Sequence, residues 1–120
     1  MADENAVRAT GRFIPMSARK VRLVVDLVRG MDAEDAMDTL KFTHKAAARP
    51  IEKVLRSAIA NAEENFGISR DELFVHNIFA DEGPTRRWRR FAARGRYKPI
   101  LRRTSHITVE LREREEATLE

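Results

Sequence analysis

The chain has 120 residues and no cysteine, which suits one domain and excludes disulfides and thiolate chemistry. No stretch approaches the roughly 18 to 20 apolar residues of a membrane span, and no secretory signal pattern is present. The net charge is +4, but residues 83–103 hold nine basic and no acidic side chains, which leaves 14 basic against 19 acidic residues elsewhere, a balance of −5.

The first 30 residues predict a strand followed by a helix. Residues 7–16 predict a short strand that is followed by a turn at Pro15. Ser17 can cap the helix that comes next, and Gly30 can end it. Six apolar residues at helical spacing predict one broad face on this helix: Val21, Leu23, Val24, Val25, Leu27 and Val28.

Two more helices are predicted before Gly67. Residues 31–43 predict a short second helix with Asp32 as its N-cap. The third helix begins near Ala46 or Pro50, since proline is tolerated only in a first turn, and ends at Asn65. Each has an apolar stripe, formed by Ala33, Ala36, Met37 and Leu40 in the second helix and by Ile51, Val54, Leu55, Ala58, Ile59 and Ala62 in the third.

Two strands are predicted in the second half of the chain, over residues 73–80 and 105–111. In the later one, HITVEL, apolar residues alternate with polar ones, which predicts one buried and one solvated face. An antiparallel register matches the two apolar faces if Leu73 lies opposite Leu111 and Val75 opposite Val109.

This register predicts a long hairpin with its tip near Ala92. Pro84 and Pro99 would then lie nearly opposite each other, where the hairpin leaves the body. The far end is the basic segment GPTRRWRRFAARGRYKPILRR, residues 83–103, which we call the arm. With roughly ten residues a side at about 3.3 Å each, the arm would be about 30 Å long.

The arm has neither an apolar face nor an acidic residue. An isolated two-stranded hairpin is marginal in water, and nine cations repel one another, so we expect the arm to become well ordered only on a polyanion. The excess of 18 arginines over 5 lysines favours nucleic acid, and binding should weaken steeply with salt. The alternative is a solvated basic loop without a partner. The predicted nucleic-acid-binding residues of the arm, for RNA or DNA, are Arg86, Arg87, Arg89, Arg90, Arg94, Arg96, Lys98, Arg102 and Arg103.

Three aromatic residues, Trp88, Phe91 and Tyr97, are interleaved with these cations. They could stack on unpaired bases or line a passage, but packing on the backbone of the hairpin itself is an equal alternative.

A second group of cations opens the first helix. Arg19, Lys20 and Arg22 lie in its first two turns, where the helix N-terminus attracts phosphate. We expect these residues to contact nucleic acid as well. The alternative is an ordinary exposed face that Asp26 balances.

No catalytic, metal or cofactor site is predicted. The three histidines are 32 and 30 residues apart and lack an HExxH pattern, and no acid–base pair or phosphate-cradling glycine loop is present. We therefore expect no enzyme. The alternative function is a helix-turn-helix DNA-binding regulator built from residues 17–29 and 32–43. Its second helix has four acidic residues before its first lysine, however, and a phosphate-lined groove would repel them.

Three runs of the sequence resemble those of a known protein family. The run NIFADEGPTRRWRRFAARGRYKPILRRTSHITV resembles the signature of the large-ribosomal-subunit protein twenty-two family, of the universal, bacterial type. SARKVRLVVDLVRG and VLRSAIANAEEN resemble that family too. The likeness covers roughly residues 8–111, with DEGP, ARGR and ILRRTSHITV in the family's order and spacing.

The resemblance implies an α+β fold, with three helices packed on a small antiparallel sheet and a long protruding β-hairpin. It implies a cytoplasmic structural constituent of the large ribosomal subunit that binds 23S-type ribosomal RNA during assembly, without a cofactor. The body would sit near the outer opening of the polypeptide exit tunnel. The hairpin tip, around Arg87 to Arg94, would line the narrow part near the macrolide site, and it would approach the nascent polypeptide and large-subunit protein four.

The predicted organisation is a single domain over residues 1–120. Residues 7–82 and 104–111 form the body, residues 83–103 the arm, and residues 112–120 a flexible acidic tail. Expected partners are large-subunit ribosomal RNA and neighbouring ribosomal proteins. No membrane and no second copy of the chain is expected as a partner.

Overall fold

The computed structural model describes residues 6–91, 95 and 97–114, of which 88–91 and 97–100 are described by their backbone. In chain order the elements are β1 (Val7–Ile14), α1 (Ala18–Val28), α2 (Ala33–Phe42), α3 (Ala48–Phe66), β2 (Leu73–Glu82), β3 (Arg86–Phe91), β4 (Tyr97–Arg102) and β5 (Ser105–Glu113). A short 3-10 turn, Arg70–Glu72, precedes β2.

The body is a three-stranded antiparallel sheet, in the order β1–β5–β2, with three helices packed on it. The core lies between the two layers because both contribute apolar side chains to it. This arrangement confirms the predicted α+β fold. Fully buried members of the core include Val24, Leu40, Leu55, Val75, Ile107 and Leu111.

Helix α1 buries a narrower face than the sequence predicts. Its four valines are fully buried, but Leu23 and Leu27 are 61% and 50% exposed. Each leucine follows a buried valine by two positions, which is about 200° round the helix. Only one side of α1 packs on the rest of the body, so the prediction of a single broad apolar face was wrong.

The other two helices begin and end close to the predicted residues. Asp32 lies at the N-cap position of α2 but makes no capping hydrogen bond, and its carboxylate accepts a hydrogen bond from Arg114 instead. Pro50 lies in the first turn of α3, where its missing N–H has no cost. Gly67 ends α3 in the left-handed region, with φ 64°.

The register of β2 with β5 is displaced by two residues from the predicted one at Leu73 and Val75, and a β-bulge at His76 then interrupts the pairing. Leu73 lies opposite Glu113 and Val75 opposite Leu111, and the register shifts between Val75 and Asn77. Val75 and Ile78 are three residues apart, so a regular strand would point them to opposite faces. The extra residue reverses that phase, and both side chains are fully buried.

The arm continues this hairpin as a separate two-stranded ladder. Among the described residues, β3 and β4 make their extensive contacts only with each other. The chain measures 75 × 30 × 24 Å, and its radius of gyration of 17.8 Å exceeds the roughly 14 Å of a compact domain of this length. The arm therefore projects from the body rather than folding back on it.

The two arm prolines are not opposite each other, contrary to the prediction. Pro99 lies opposite Arg89, inside the ladder. Pro84 lies at the arm base, where its carbonyl accepts a hydrogen bond of 2.7 Å from Thr104. The prolines are offset because the hairpin is centred two residues beyond the predicted Ala92. Phe91 pairs with Tyr97, which gives that midpoint. A two-stranded ribbon consists of edge strands, so it tolerates a proline.

The polar face of β5 is also more buried than its alternation predicts. Thr108 and Glu110 are 7% and 6% exposed, because strands flank β5 on both sides. The Glu110 carboxylate accepts a hydrogen bond from Arg8 on β1. The strand ends at Glu113, so it includes the first residues of the predicted tail, and residues 115–120 lie outside the described part.

Candidate nucleic-acid interface

The predicted binding residues fall into three groups. Arg86 and Arg87 on β3, and Arg102 and Arg103 at the end of β4, have exposed side chains. Arg94 and Arg96 lie outside the described residues. For the remaining arm residues the structure describes the backbone, which places them on the ladder: Trp88, Arg89, Arg90 and Phe91 on β3, and Tyr97 and Lys98 on β4.

The ladder pairs like charges across the arm. Arg86 lies opposite Arg102, and Arg90 lies opposite Lys98. Directly opposed residues on an antiparallel pair have Cβ atoms about 4.5–5.5 Å apart, where like charges destabilise the pairing. Residues 83–103 contain no carboxylate to offset this repulsion. Within the ladder, therefore, no carboxylate neutralises these cations.

The arm base meets the first helix in a groove of about 720 Å³. Arg19 and Lys20, from the first turn of α1, line one side, and Arg102 and Arg103 line the other. Among the described residues that line this groove, Glu82 is the only one with a carboxylate. The fold thus brings together two cation groups that lie more than 80 residues apart, and we call this feature the arm-base groove.

The direction in which the arm leaves the body is fixed by close packing. The Gly83 N–H donates to the Thr104 carbonyl at 2.9 Å, and the Thr104 hydroxyl donates to the Pro84 carbonyl. A Cβ on Gly83 would lie 2.5 Å from Thr104 Oγ1 and 3.2 Å from His106 Nε2. Glycine is required here because two segments of the chain, at Gly83 and at Thr104, approach each other so closely.

Arg22, the third predicted cation of α1, has a partner within the body. Its Nε and one terminal nitrogen donate to the Ala80 carbonyl at 3.2 and 3.0 Å. Arg29 donates similarly to the Ile78 carbonyl at 2.8 Å. These bonds tie α1 to β2, so Arg22 supports the wall of the groove, and its contact with RNA stays a prediction.

Several cations elsewhere on the body are paired with carboxylates. Glu52 lies 2.6 Å from Arg49 and 3.0 Å from Arg56, and Glu63 lies 2.7 Å from Arg70. The hydrogen bond from Arg70, with its charge, holds the pKa of Glu63 below its usual value. Within the described residues, Arg86 and the four groove cations have no such carboxylate partner, so their charge is available to a ligand.

Negative charge gathers at the other end of the body. Glu34 on α2 has a raised pKa, chiefly because the Asp71 carboxylate lies beside it. Asp71 precedes the first residue of β2, and the arm follows the last one, so the length of that strand separates the two charges. The two ends of β2 therefore differ in the charge that surrounds them.

The described part of the chain shows neither a membrane span nor a metal cluster. None of its helices has the length and apolar character that a membrane span needs. Nor do its His, Asp and Glu residues form a group of three or more that could hold a metal ion. Beside the arm-base groove, however, lies Phe13, an exposed ring that the sequence patterns did not indicate.

Comparison with known proteins finds a matching family and similar relatives over nearly the whole chain. The family described as ribosomal protein L22p/L17e matches residues 9–112. The large ribosomal subunit protein uL22 of Pediococcus pentosaceus is 46% identical over 117 residues, which cover 97% of this chain and 99% of the relative. The protein of the same name from Streptococcus pyogenes serotype M6 is 49% identical over 114 residues, or 95% of this chain and all of the relative.

Proposed function

The chain belongs to the ribosomal protein L22p/L17e family, and on that premise we propose that its arm and arm-base groove bind large-subunit ribosomal RNA. Membership makes the chain a structural constituent of the large ribosomal subunit, located in the cytoplasm as part of the ribosome. It confirms the family resemblance seen in the sequence. It also confirms that the chain is not an enzyme, because the relatives are ribosomal proteins.

The observation that carries RNA binding is the uncompensated charge of the arm. Arg86 and Arg102 face each other across a ladder that no apolar core supports. A phosphate between two such guanidinium groups replaces their repulsion with two charge-assisted hydrogen bonds. RNA supplies phosphates at regular spacing along a strand, which suits cations that follow a strand.

We extend the proposal to the placement of the arm in the polypeptide exit tunnel. A two-stranded ribbon is narrow, and the 75 Å long axis of the chain lets it reach deep into RNA while the body stays outside. The tip, around residues 87–94, would line the tunnel, where it would meet the nascent polypeptide and large-subunit protein four. Family membership supports this placement, and residues 92–94 of the tip lie outside the described part.

The helix-turn-helix alternative is not favoured. The apolar stripe of α2 is buried in the body, which leaves Glu34, Asp35 and Asp38 on its exposed surface. A recognition helix must approach phosphates on both sides of a DNA groove, and this surface would be repelled by them.

Charge reversal tests RNA anchoring. Changing Arg86, Arg87, Arg89 and Arg90 to Glu should keep the chain out of large subunits in sucrose-gradient sedimentation, while circular dichroism of the free protein shows a folded body. Replacement of the same four residues by Lys is the matched control, since it keeps the charge and should permit incorporation. Normal incorporation of the Glu variant would refute the arm as an RNA anchor.

Tip placement needs a different experiment. Residues 92–96 are replaced by a two-residue Asn-Gly turn, which keeps both strands of the ladder. The shortened chain lacks Arg94 and Arg96 but keeps the other seven arm cations, so it should still enter large subunits while it changes the crosslinking of a nascent chain and the response to macrolides. If both readouts match those of the unaltered protein, the tip does not line the tunnel, although RNA anchoring would still stand.

A further inference from the structure

Phe13 has a backbone conformation that its side chain disfavours. Its φ is 56°, in the left-handed region, and it is the only non-glycine residue with positive φ among those the structure describes. A bulky residue is rarely found there, and the strain persists only where the surroundings impose it. Burial does not compensate for the strain, because the residue is 62% exposed.

A β-bulge and a histidine hold Phe13 in place. The register of β1 with β5 shifts between Gly11 and Ile14, so Arg12 and Phe13 together oppose His106. The Phe13 N–H donates to His106 Nδ1 at 3.1 Å. The two rings meet edge to face with their centroids 5.0 Å apart. One histidine thus fixes both the backbone and the ring of Phe13.

The same histidine joins Phe13 to the arm-base groove. A Cβ on Gly83 would lie 3.2 Å from His106 Nε2, and Gly83 lines the groove. Pro15, two residues beyond Phe13, lines it too. The exposed ring therefore lies beside a depression whose lining carries four cations against one carboxylate.

We propose that Phe13 is a stacking platform for an unpaired base of an RNA strand whose phosphates lie in the arm-base groove. This proposal rests on the proposed RNA-binding function and names the ligand more closely, as a non-helical nucleotide. An aromatic ring offers a stacking surface only to a base that has left its own helix. A base-paired duplex would present phosphates to the groove but no base face to Phe13.

Charge favours RNA over a protein as the occupant. A protein side chain could also cover an exposed ring, but apolar protein surfaces are not attracted to four adjacent cations. A nucleotide satisfies both parts at once, because its phosphate meets Arg102 and Arg103 while its base meets the ring. The β-bulge at Phe13 supports the same assignment, because bulges often redirect side chains next to functional sites.

The test uses Phe13→Gly, which removes the ring and adopts positive φ without strain. The probe is a single-stranded oligoribonucleotide of about twelve residues that contains 2-aminopurine, whose fluorescence falls on stacking. The full-length unaltered protein should quench the probe. Phe13→Gly should lose the quenching and weaken binding by about 5- to 150-fold, which corresponds to the 1–3 kcal/mol of a stacked base. Its thermal midpoint should stay near that of the unaltered protein.

Two controls complete the design. Phe13→Trp should retain binding and quenching. Phe66→Gly removes an equally exposed ring, 64% against 62%, at the far end of α3, and it should change neither. A duplex of the same length should bind the unaltered protein and Phe13→Gly equally.

Three results would overturn the proposal. The first is that Phe13→Gly binds the single strand as tightly as the unaltered protein does. The second is that Phe13→Gly loses as much affinity for the duplex as for the single strand. The third is that large subunits containing Phe13→Gly lack a neighbouring protein while their RNA contacts are intact. The RNA-binding function would survive each of them, provided that reversal of the arm charges still abolished binding.

Discussion

Substitution of Arg86 by Gln tests whether RNA binding depends on cations of the arm or on the net charge of the protein. Arg86→Gln removes one member of the like-charge pair with Arg102, and both side chains are exposed. Relief of an exposed repulsion is worth a few tenths of a kcal/mol, so the free protein should be as stable as before or slightly more so. Its affinity for RNA should nevertheless fall.

The magnitude follows from the number of cations at the interface. Six exposed cations are described there, and if each neutralises one phosphate, log Kobs falls against log salt with a slope of about −4 for single strands to −5 for a duplex. Arg86→Gln should make that slope shallower by about 0.7 to 0.9. The affinity ratio of the unaltered protein to the variant should then shrink about 2.6- to 3.5-fold between about 50 and 200 mM salt. These six are Arg19, Lys20, Arg86, Arg87, Arg102 and Arg103.

The assay is a salt titration of binding to a transcribed large-subunit RNA, followed by fluorescence anisotropy. Arg70→Gln is the matched control, because it changes net charge equally but removes a guanidinium that Glu63 already neutralises. It should leave the slope unchanged and lower the stability of the body. Equal slope changes in the two variants would mean that binding follows net charge, which would refute a localised interface.

Three further predictions concern the body. Gly83→Ala should lower the free energy of unfolding by about 1–3 kcal/mol in urea titration, because the new Cβ would lie 2.5 Å from Thr104 Oγ1, and an unchanged midpoint would contradict this. Arg8→Ala should cost about 1–3 kcal/mol by leaving the buried Glu110 carboxylate without its partner, and adding Glu110→Gln should recover part of the loss. Glu63→Gln should lower the stability of the folded protein at about pH 7 but not at about pH 3. The reason is that the pKa of Glu63 is lowered on folding, so its contribution to stability is present above the unfolded pKa and is lost as pH falls through the folded pKa. A difference in unfolding midpoint that stays constant with pH would count against that pair.

The sequence predicts the helices and strands of this fold well because each follows a local period. The valine stripe of α1 and the glycine that ends α3 are local signals, and both are confirmed. Register is not local in this sense. Val75 and Ile78 are apolar and three residues apart, so both can be buried only if the strand has a bulge between them. Which residue bulges depends on the partner strand.

The same limit applies to the interface. Clustering of arginines along the chain reveals the arm, but the arm-base groove joins Arg19 to Arg103, and only the tertiary fold brings those residues together. Exposure of Leu23 and burial of Glu110 likewise depend on which neighbours an element acquires. Phe13 escapes sequence analysis altogether, since an isolated phenylalanine in a strand is typical of a core residue.

The separation of charge along the molecule has a consequence for how it meets its target. Cations concentrate at one end of a 75 Å axis, and a carboxylate pair, Glu34 and Asp71, lies at the other end of the sheet. Such a body should have a permanent electric dipole. The field of a polyanion would then exert a torque on it before any contact forms, so we expect more encounters in which the arm makes the first contact. Added salt would blunt this alignment within a Debye length of about 8–10 Å, and it would slow association as well as weaken the complex.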